Sequence, residues 1–248
     1  MKILATDLDG TLYLDTVLID GVRSAYNSLI LNNFTLFHTT NNSSQSTDLI
    51  CSKLQNLLNM DIDISSIITP LTILENFLIN KNNSIYVFGS SEVKNFISNI
   101  SDTVSDINNC DLIIIGRVDS PSYEKLDIIC EAIKSGTKCI TLNKDLTYPI
   151  SKTELKPGNG QIAKYVESKS SQILDSLGKE GHLYSQYFFD RKIKLDYVVG
   201  DRVDTDIIFG NNVGAKSILV ESSIENHMST TIADERFKDF PSFVSSII

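Results

Sequence analysis

Apolar residues recur along the chain in two rhythms. Short β-type runs at Ile3–Thr6, Phe34–Thr39, Ser84–Phe88, Leu112–Ile115, Cys139–Leu142, Tyr197–Val199 and Ser217–Val220 predict strands. Between them lie amphipathic stretches that predict helices, among them Val22–Leu31, Ser46–Leu58, Leu71–Ile79, Glu92–Ile100, Ser122–Lys134, Ile162–Glu167 and Asp206–Asn211. Alternation of this kind predicts an α/β protein whose parallel sheets are covered by helices on both faces, a doubly wound, Rossmann-like architecture. No fixed-period repeat and no long linker interrupts it.

The polar positions divide the chain. Acidic residues close strands at its two ends, with Asp7 and Asp9 near the start and Asp201 and Asp206 near the finish. Residues 82–172 have their own strand–helix alternation and no comparable acidic strand ends. This predicts a discontinuous main domain, 1–81 with 173–248, carrying a smaller inserted α/β domain. Ligands of open α/β sheets bind beyond the carboxyl ends of the strands, where these acids are expected to sit.

Composition removes several alternatives. A chain of 248 residues can bury a sizeable core, and its 42% hydrophobic and 21% charged residues are ordinary for a globular protein. A net charge of −9 with no Lys/Arg block argues against nucleic acid or an anionic membrane as the main partner. No apolar stretch reaches the roughly 18–20 residues of a membrane span. Asp7 and Asp9 break the first apolar run too early for a signal peptide. Cys51, Cys110, Cys130 and Cys139 show no CxxC spacing and are expected to be reduced thiols of a cytoplasmic protein.

Three segments carry candidate chemistry. In Asp7-Leu8-Asp9-Gly10-Thr11, two acids lie at a strand end and share a direction if the strand continues through both, and Gly10 permits a sharp turn. Such a pair can hold a hard cation or divide nucleophile and general-acid roles; a capped helix or a salt-bridged strand end is the plainer alternative. In Phe34–Ser44, a strand runs into Thr39, Thr40, Asn41, Asn42, Ser43 and Ser44 before a helix. That suits an anion site, or ordinary capping by Ser43 or Ser44. In Tyr197–Asp206, an apolar strand ends at Gly200-Asp201 and a helix begins with more acid. Oxygen ligands from Asp7, Asp9 and Asp201 would suit Mg²⁺, and no histidine cluster offers a softer site. His38, His182 and His227 are isolated and are expected to be surface or satisfied core residues.

In this order the segments resemble the haloacid dehalogenase superfamily. Asp7-Leu8-Asp9-Gly10-Thr11-Leu12 is similar to its first motif, Thr40-Asn41 to its second, and Gly200-Asp201-Arg202-Val203-Asp204-Thr205-Asp206 to its fourth. Thr39–Ser44, Ile68-Thr69-Pro70, Tyr123–Leu126, Asn143–Pro149 and Lys156–Gly160 resemble the NagD-like, 4-nitrophenylphosphatase-like branch, which places a large α/β cap between the second and third motifs. The resemblance covers nearly the whole chain and weakens after about Val220. For the third-motif lysine, Lys179 is favoured over Lys156, because Pro157-Gly158-Asn159-Gly160-Gln161-Ile162 matches a branch element that precedes that lysine. Glu180 stands where the family usually has proline.

The resemblance implies a Mg²⁺-dependent phosphatase of small phosphorylated metabolites. Asp7 would form an aspartyl-phosphate, and Asp9 would act as general acid and then general base. The Asp7 and Asp201 carboxylates and the Asp9 carbonyl would hold the metal, with Asp206 in an outer role. Thr40, Asn41 and Lys179 would hold phosphoryl oxygens, and Asn143 and Asp145 would face the site from the cap at residues 82–172. Nucleoside monophosphates, sugar phosphates, phosphoglycolate and pyridoxal phosphate are all substrates within the branch. The resemblance also admits a homodimer joined through the cap. Two other readings compete: a phosphotransferase or mutase on the same scaffold, and a phosphate-binding protein without turnover.

Overall fold

A computed structural model describes residues 1–149, 154–221 and 232–248. These form two compact units, one of Met1–Thr40, Thr47–Thr69 and Tyr184–Ile248, the other of Asn41–Ser46 and Pro70–Leu183. Both are α/β units built on parallel sheets.

The first unit holds a six-stranded sheet in the order Glu235–Phe237, Lys216–Val220, Tyr197–Gly200, Ile3–Asp7, Thr35–Thr39, Ile67–Ile68. Every neighbouring pair is parallel. Ile3–Asp7 is central and buried from Leu4 to Asp7, as expected of a strand covered on both faces. Register matters for the site: Asp7 lies opposite Thr39, and Thr6 opposite Val199. The ends of three strands therefore reach one edge, which brings Asp7, Thr40 and Asp201 to the carboxyl end of the sheet.

Helix Val22–Leu31 buries Val22, Ala25, Tyr26 and Leu29, a one-face pattern, and the chain leaves it through Asn33 at φ 58°. These residues join Leu4, Leu8, Leu12, Leu54, Phe240 and Phe243 in one apolar core. The last helix, Phe240–Ile247, starts where Asp239 accepts a hydrogen bond from the Ser242 amide, with Pro241 in its first turn.

The second unit carries a five-stranded parallel sheet in the order Asp175–Ser176, Lys138–Thr141, Leu112–Ile115, Ile85–Phe88, Thr103–Val104. All four residues of Leu112–Ile115 are buried. Helices Ser91–Ile100 and Tyr123–Lys134 begin at Ser90 and Ser122, whose hydroxyls accept from Val93 and Lys125 amides. A hairpin pairs Thr147–Pro149 with Leu155–Pro157.

The second unit is wider than the 82–172 segment marked out by the sequence. At its far end the reason is a strand of two residues: Asp175–Ser176 pairs with Ile140 and Thr141 and extends the sheet. At its near end, helix Pro70–Leu78 joins this unit, with Lys138 Nζ 5.7 Å from the Phe77 ring centre. Lys179 accordingly lies in the second unit. Among the described residues, no helix is long and apolar enough to cross a membrane.

Candidate active site

The strand Ile3–Asp7 stops because the chain turns back at once. The Gly10 amide donates to the Tyr13 carbonyl at 2.8 Å, and Gly10 adopts φ +97°, a conformation open to glycine at little cost. A Cβ at Gly10 would lie 2.3 Å from Asp201 Oδ2, so glycine is also what lets the Asp201 carboxylate approach.

After Tyr197–Gly200 the chain forms a π-turn over Val203–Ile207, with the Arg202 carbonyl accepting from the Asp206 and Ile207 amides at 3.0 and 3.2 Å. Such turns are frequent at functional sites. The turn folds Asp206 back, so that its Oδ2 accepts from the Arg202 amide at 3.1 Å. A Cβ on Gly200 would fall 2.1 Å from Asp206 Cγ. The outcome is a buried group in which carboxylate oxygens of Asp7, Asp201 and Asp206 all lie within 4.8 Å of one another.

Three buried carboxylates at this spacing repel one another unless protons or cations offset their charge. The donor set is all oxygen, without imidazole or thiolate, and fits Mg²⁺ and not a softer metal. The two glycines that leave room beside Asp201 and Asp206 support the same fit.

Asp9 stands outside this group. Its carboxylate, 42% exposed, lies 3.7 Å from Lys53 Nζ and accepts from the Tyr13 hydroxyl at 3.4 Å. The strand ends at Asp7, so the alternation of strand side chains does not extend to Asp9. Burial first, then the charges of Asp9 and Asp7, push the Tyr13 hydroxyl far above the ordinary tyrosine range, so it remains a donor. Lys53 Nζ also sits 4.1 Å from the Tyr13 ring centre, which orders the ammonium beside the acid. Neither Tyr13 nor Lys53 was visible from the sequence as a partner of Asp9, since no motif contains Lys53.

Thr40, buried at the end of Thr35–Thr39, donates its amide to the Ile68 carbonyl at 3.0 Å. The turn that follows is closed by Asn42, whose Oδ1 accepts from the amides of Ser44 and Gln45 at 3.0 and 3.2 Å.

The second unit gathers the other expected residues around Asn41. Asn41 Oδ1 accepts from the Lys179 amide at 2.8 Å, and Asn41 Nδ2 donates to Asp145 Oδ1 at 2.9 Å and Glu180 Oε2 at 3.1 Å. Asn143 Nδ2 donates to the Asn41 carbonyl at 2.8 Å and to Ser43 Oγ at 3.3 Å. Asn159 in turn fixes that loop by donating to the Asn143 carbonyl at 2.8 Å. Asn41, Asn143, Asp145 and Lys179 thus belong to one network, and the Lys179 side chain is buried.

Lys156 is exposed, on the hairpin strand Leu155–Pro157. With Tyr123, Tyr148, Lys164 and Tyr165 it lines a separate cavity of about 730 Å³, which none of Asn41, Asn143, Asp145 or Lys179 lines. Of the histidines, His38 is a satisfied core residue. It is buried between the Tyr26 hydroxyl at 3.0 Å and Ser66 Oγ at 2.9 Å, and burial lowers its pKa to about 4. His182 is on the surface, 3.8 Å from Asp175, and His227 lies outside the described residues.

Comparison with known proteins agrees with this geometry. A model of haloacid dehalogenase-like hydrolases matches residues 4–101, and a HAD-hydrolase-like model matches residues 191–243. An acid sugar phosphatase of Staphylococcus haemolyticus is 29% identical over 97% of this chain and 94% of its own. Among solved structures, a 4-nitrophenylphosphatase of Thermotoga maritima superimposes with TM-score 0.84 at 24% identity, covering 100% and 98% of the two chains. A protein described as a putative nagD protein gives TM-score 0.84 at 25% identity over 99% and 98%. A glycerol phosphate phosphatase of Mycobacterium tuberculosis, solved in complex with magnesium, gives TM-score 0.81 at 21% identity over 97% and 76%. From its motifs, its fold and its relatives, the chain belongs to the haloacid dehalogenase-like hydrolases, on their NagD-like branch.

Proposed function

We propose that the chain is a Mg²⁺-dependent phosphatase that hydrolyses small phosphorylated metabolites through an aspartyl-phosphate on Asp7. The observation that carries this reading is the buried group of Asp7, Asp201 and Asp206 at the carboxyl edge of a parallel sheet. A dianionic ester is repelled from such a site unless positive charge is supplied. The Asp7 and Asp201 carboxylates and the Asp9 carbonyl would hold Mg²⁺, with Asp206 in an outer role, and the ion would offset that charge.

The chain's own residues perform two displacements. An Asp7 oxygen attacks phosphorus, an O–P bond forms, and the bond from phosphorus to the ester oxygen breaks. Asp9 gives its proton to that departing oxygen. A water then attacks the phosphoryl group, Asp9 takes a proton from it, and the bond to Asp7 breaks to release inorganic phosphate. General acid–base help of this kind contributes about 10²–10⁴-fold. Thr40, the Asn41 region and Lys179 are assigned to the phosphoryl oxygens, where charge stabilisation and positioning dominate the rate. Asn143 and Asp145 are assigned to the leaving-group side.

The relatives that act on sugar phosphates put that class first among candidate substrates. Free thiols at Cys51, Cys110, Cys130 and Cys139 agree with a cytoplasmic location. The test is phosphate release from a panel of sugar phosphates, nucleoside monophosphates, phosphoglycolate and pyridoxal phosphate, with and without Mg²⁺. Release of phosphate to water only with Mg²⁺ supports the reading. Transfer to an acceptor identifies a phosphotransferase or mutase, and absence of turnover on the whole panel refutes the phosphatase reading.

A further inference from the structure

Glu180 occupies a position where the family usually has proline, and the catalytic scheme gives it no task. Its carboxylate is nevertheless the acceptor for three donors from three segments. Oε1 takes the Lys144 amide at 2.8 Å and the Ser176 hydroxyl at 2.5 Å, and Oε2 takes Asn41 Nδ2 at 3.1 Å. Hydrogen bonds to an ionised acceptor are roughly twice as strong as neutral ones.

The surrounding turn is shaped to this carboxylate. A Cβ on Gly178 would lie 2.6 and 2.8 Å from the two Glu180 oxygens, so glycine there makes the space. The Gly181 amide donates to the Gly178 carbonyl at 2.8 Å, and a Cβ on Gly181 would fall 2.1 Å from the Ser176 carbonyl. The Gly178 amide is itself held by Ser176 Oγ at 3.0 Å.

Asn41 is the receiving end. Glu180 and Asp145 take its Nδ2 donors while the Lys179 amide donates to its oxygen. The side-chain amide of Asn41 has two donor hydrogens and one acceptor oxygen, so here it orients its neighbours and leaves contact with a ligand to the main chain of the Asn41 region.

We propose that Glu180 is a positioning residue of the phosphoryl-transfer site, fixing the Asn41 amide and the Lys144 main chain and, through Asn41, the main chain of Lys179. The carboxylate supplies by hydrogen bonding the rigidity that proline supplies by restricting φ. The inference rests on the reading that Asn41 and Lys179 hold phosphoryl oxygens.

The test is Glu180→Gln, nearly isosteric with the native residue. One end of the substituted side chain becomes a donor, so a donor meets either Asn41 Nδ2 or the Lys144 amide. Hydrogen exchange of peptides covering 143–146 and 177–183 should speed up by roughly tenfold, with 112–115 unchanged. On a substrate that the wild type turns over, kcat should fall by about 10–100-fold with KM changed by less than about threefold, because misplacement acts on the transition state. Asn41→Ala combined with Glu180→Gln should be no slower than Asn41→Ala alone, within about threefold, because one residue acts through the other.

Unchanged exchange overturns the clamp. Faster exchange with unchanged kcat, or fully multiplicative losses in the double variant, overturns its role in the reaction. If Glu180→Gln does not fold, Glu180→Asp, which keeps the charge but withdraws it by one methylene, carries the same measurements. A wild type that releases no phosphate from any ester refutes the function proposed above, and exchange then decides the clamp by itself.

Discussion

Replacing Gly10 by alanine tests whether backbone geometry at the first strand end sets the position of Asp201. Two costs are separable. The first is backbone strain: an alanine held at the observed φ of +97° costs about 1–2 kcal/mol. In a chain of this size that lowers Tm by about 2–8 °C. The second is a collision, since the new Cβ would lie 2.3 Å from Asp201 Oδ2 and 2.8 Å from its Cγ. The carboxylate has to retreat by about 1 Å to reach ordinary van der Waals separation. Misplacement of a reacting constellation by that distance costs on the order of 10²-fold in rate.

Gly136 supplies the control. It has φ +104°, and a Cβ there meets nothing within 4 Å, so Gly136→Ala carries similar strain without a collision. The assay is kcat at saturating Mg²⁺ together with a thermal melt. Gly10→Ala should lose both stability and about two orders of magnitude in kcat; Gly136→Ala should lose only stability. The reasoning fails if Gly10→Ala keeps kcat within about threefold of wild type, or if Gly136→Ala is equally inactive.

Four other expectations follow from the same geometry. Chelation with EDTA should abolish turnover and Mg²⁺ restore it, with Ca²⁺ a poor substitute because its looser coordination misplaces the nucleophile; full activity in chelator would remove the metal from the scheme. Asp201→Ala should raise the Mg²⁺ requirement more than Asp206→Ala, as read from metal titrations of kcat; the reverse order would give Asp206 the direct role. Lys179→Ala should cost on the order of 10²–10³ in kcat and Lys156→Ala less than about tenfold, since only the former is buried in the Asn41 network. His38 has a folded pKa of about 4 against the ordinary 6.5, so the unfolded chain binds its proton more tightly and stability falls as pH drops from about 6.5 towards 4. At pH 5 the loss is about 2 kcal/mol, so melts at pH 7.5 and pH 5 should differ by roughly 4–8 °C more in wild type than in His38→Gln, and an equal difference would deny the shift.

Much of the fold is written in short-range pattern. Helix Val22–Leu31 and strand Leu112–Ile115 coincide with the sequence reading, because each is a periodic or continuous apolar run with clear ends. Strand Asp175–Ser176 was not legible, since its two residues become a strand only by pairing with Ile140 and Thr141. The divergent end hid strand Glu235–Phe237 and helix Phe240–Ile247, although Phe240, Phe243 and Val244 enter the main core. In the site, Asp7 and Asp201 were legible because each follows an apolar run at a strand end with a glycine close by. That Asp206 shares one buried group with Asp7 and Asp201 depends on the π-turn at Val203–Ile207, which no local propensity announces. Lys53 beside Asp9 and Glu180 beside Asn41 are long-range contacts of the same kind.

The covalent step is the centre of this account, and a rapid acid quench of turnover tests it most directly. Wild-type protein mixed with a substrate labelled in its phosphoryl group and quenched during the first turnover should carry the label on the peptide containing Asp7. Asp7→Asn, whose amide is nearly the same shape but a poor nucleophile, should carry none and lose turnover while keeping its melting temperature. Label on another residue, no label during active turnover, or an Asp7→Asn variant slowed only a few-fold would contradict a carboxylate nucleophile at Asp7.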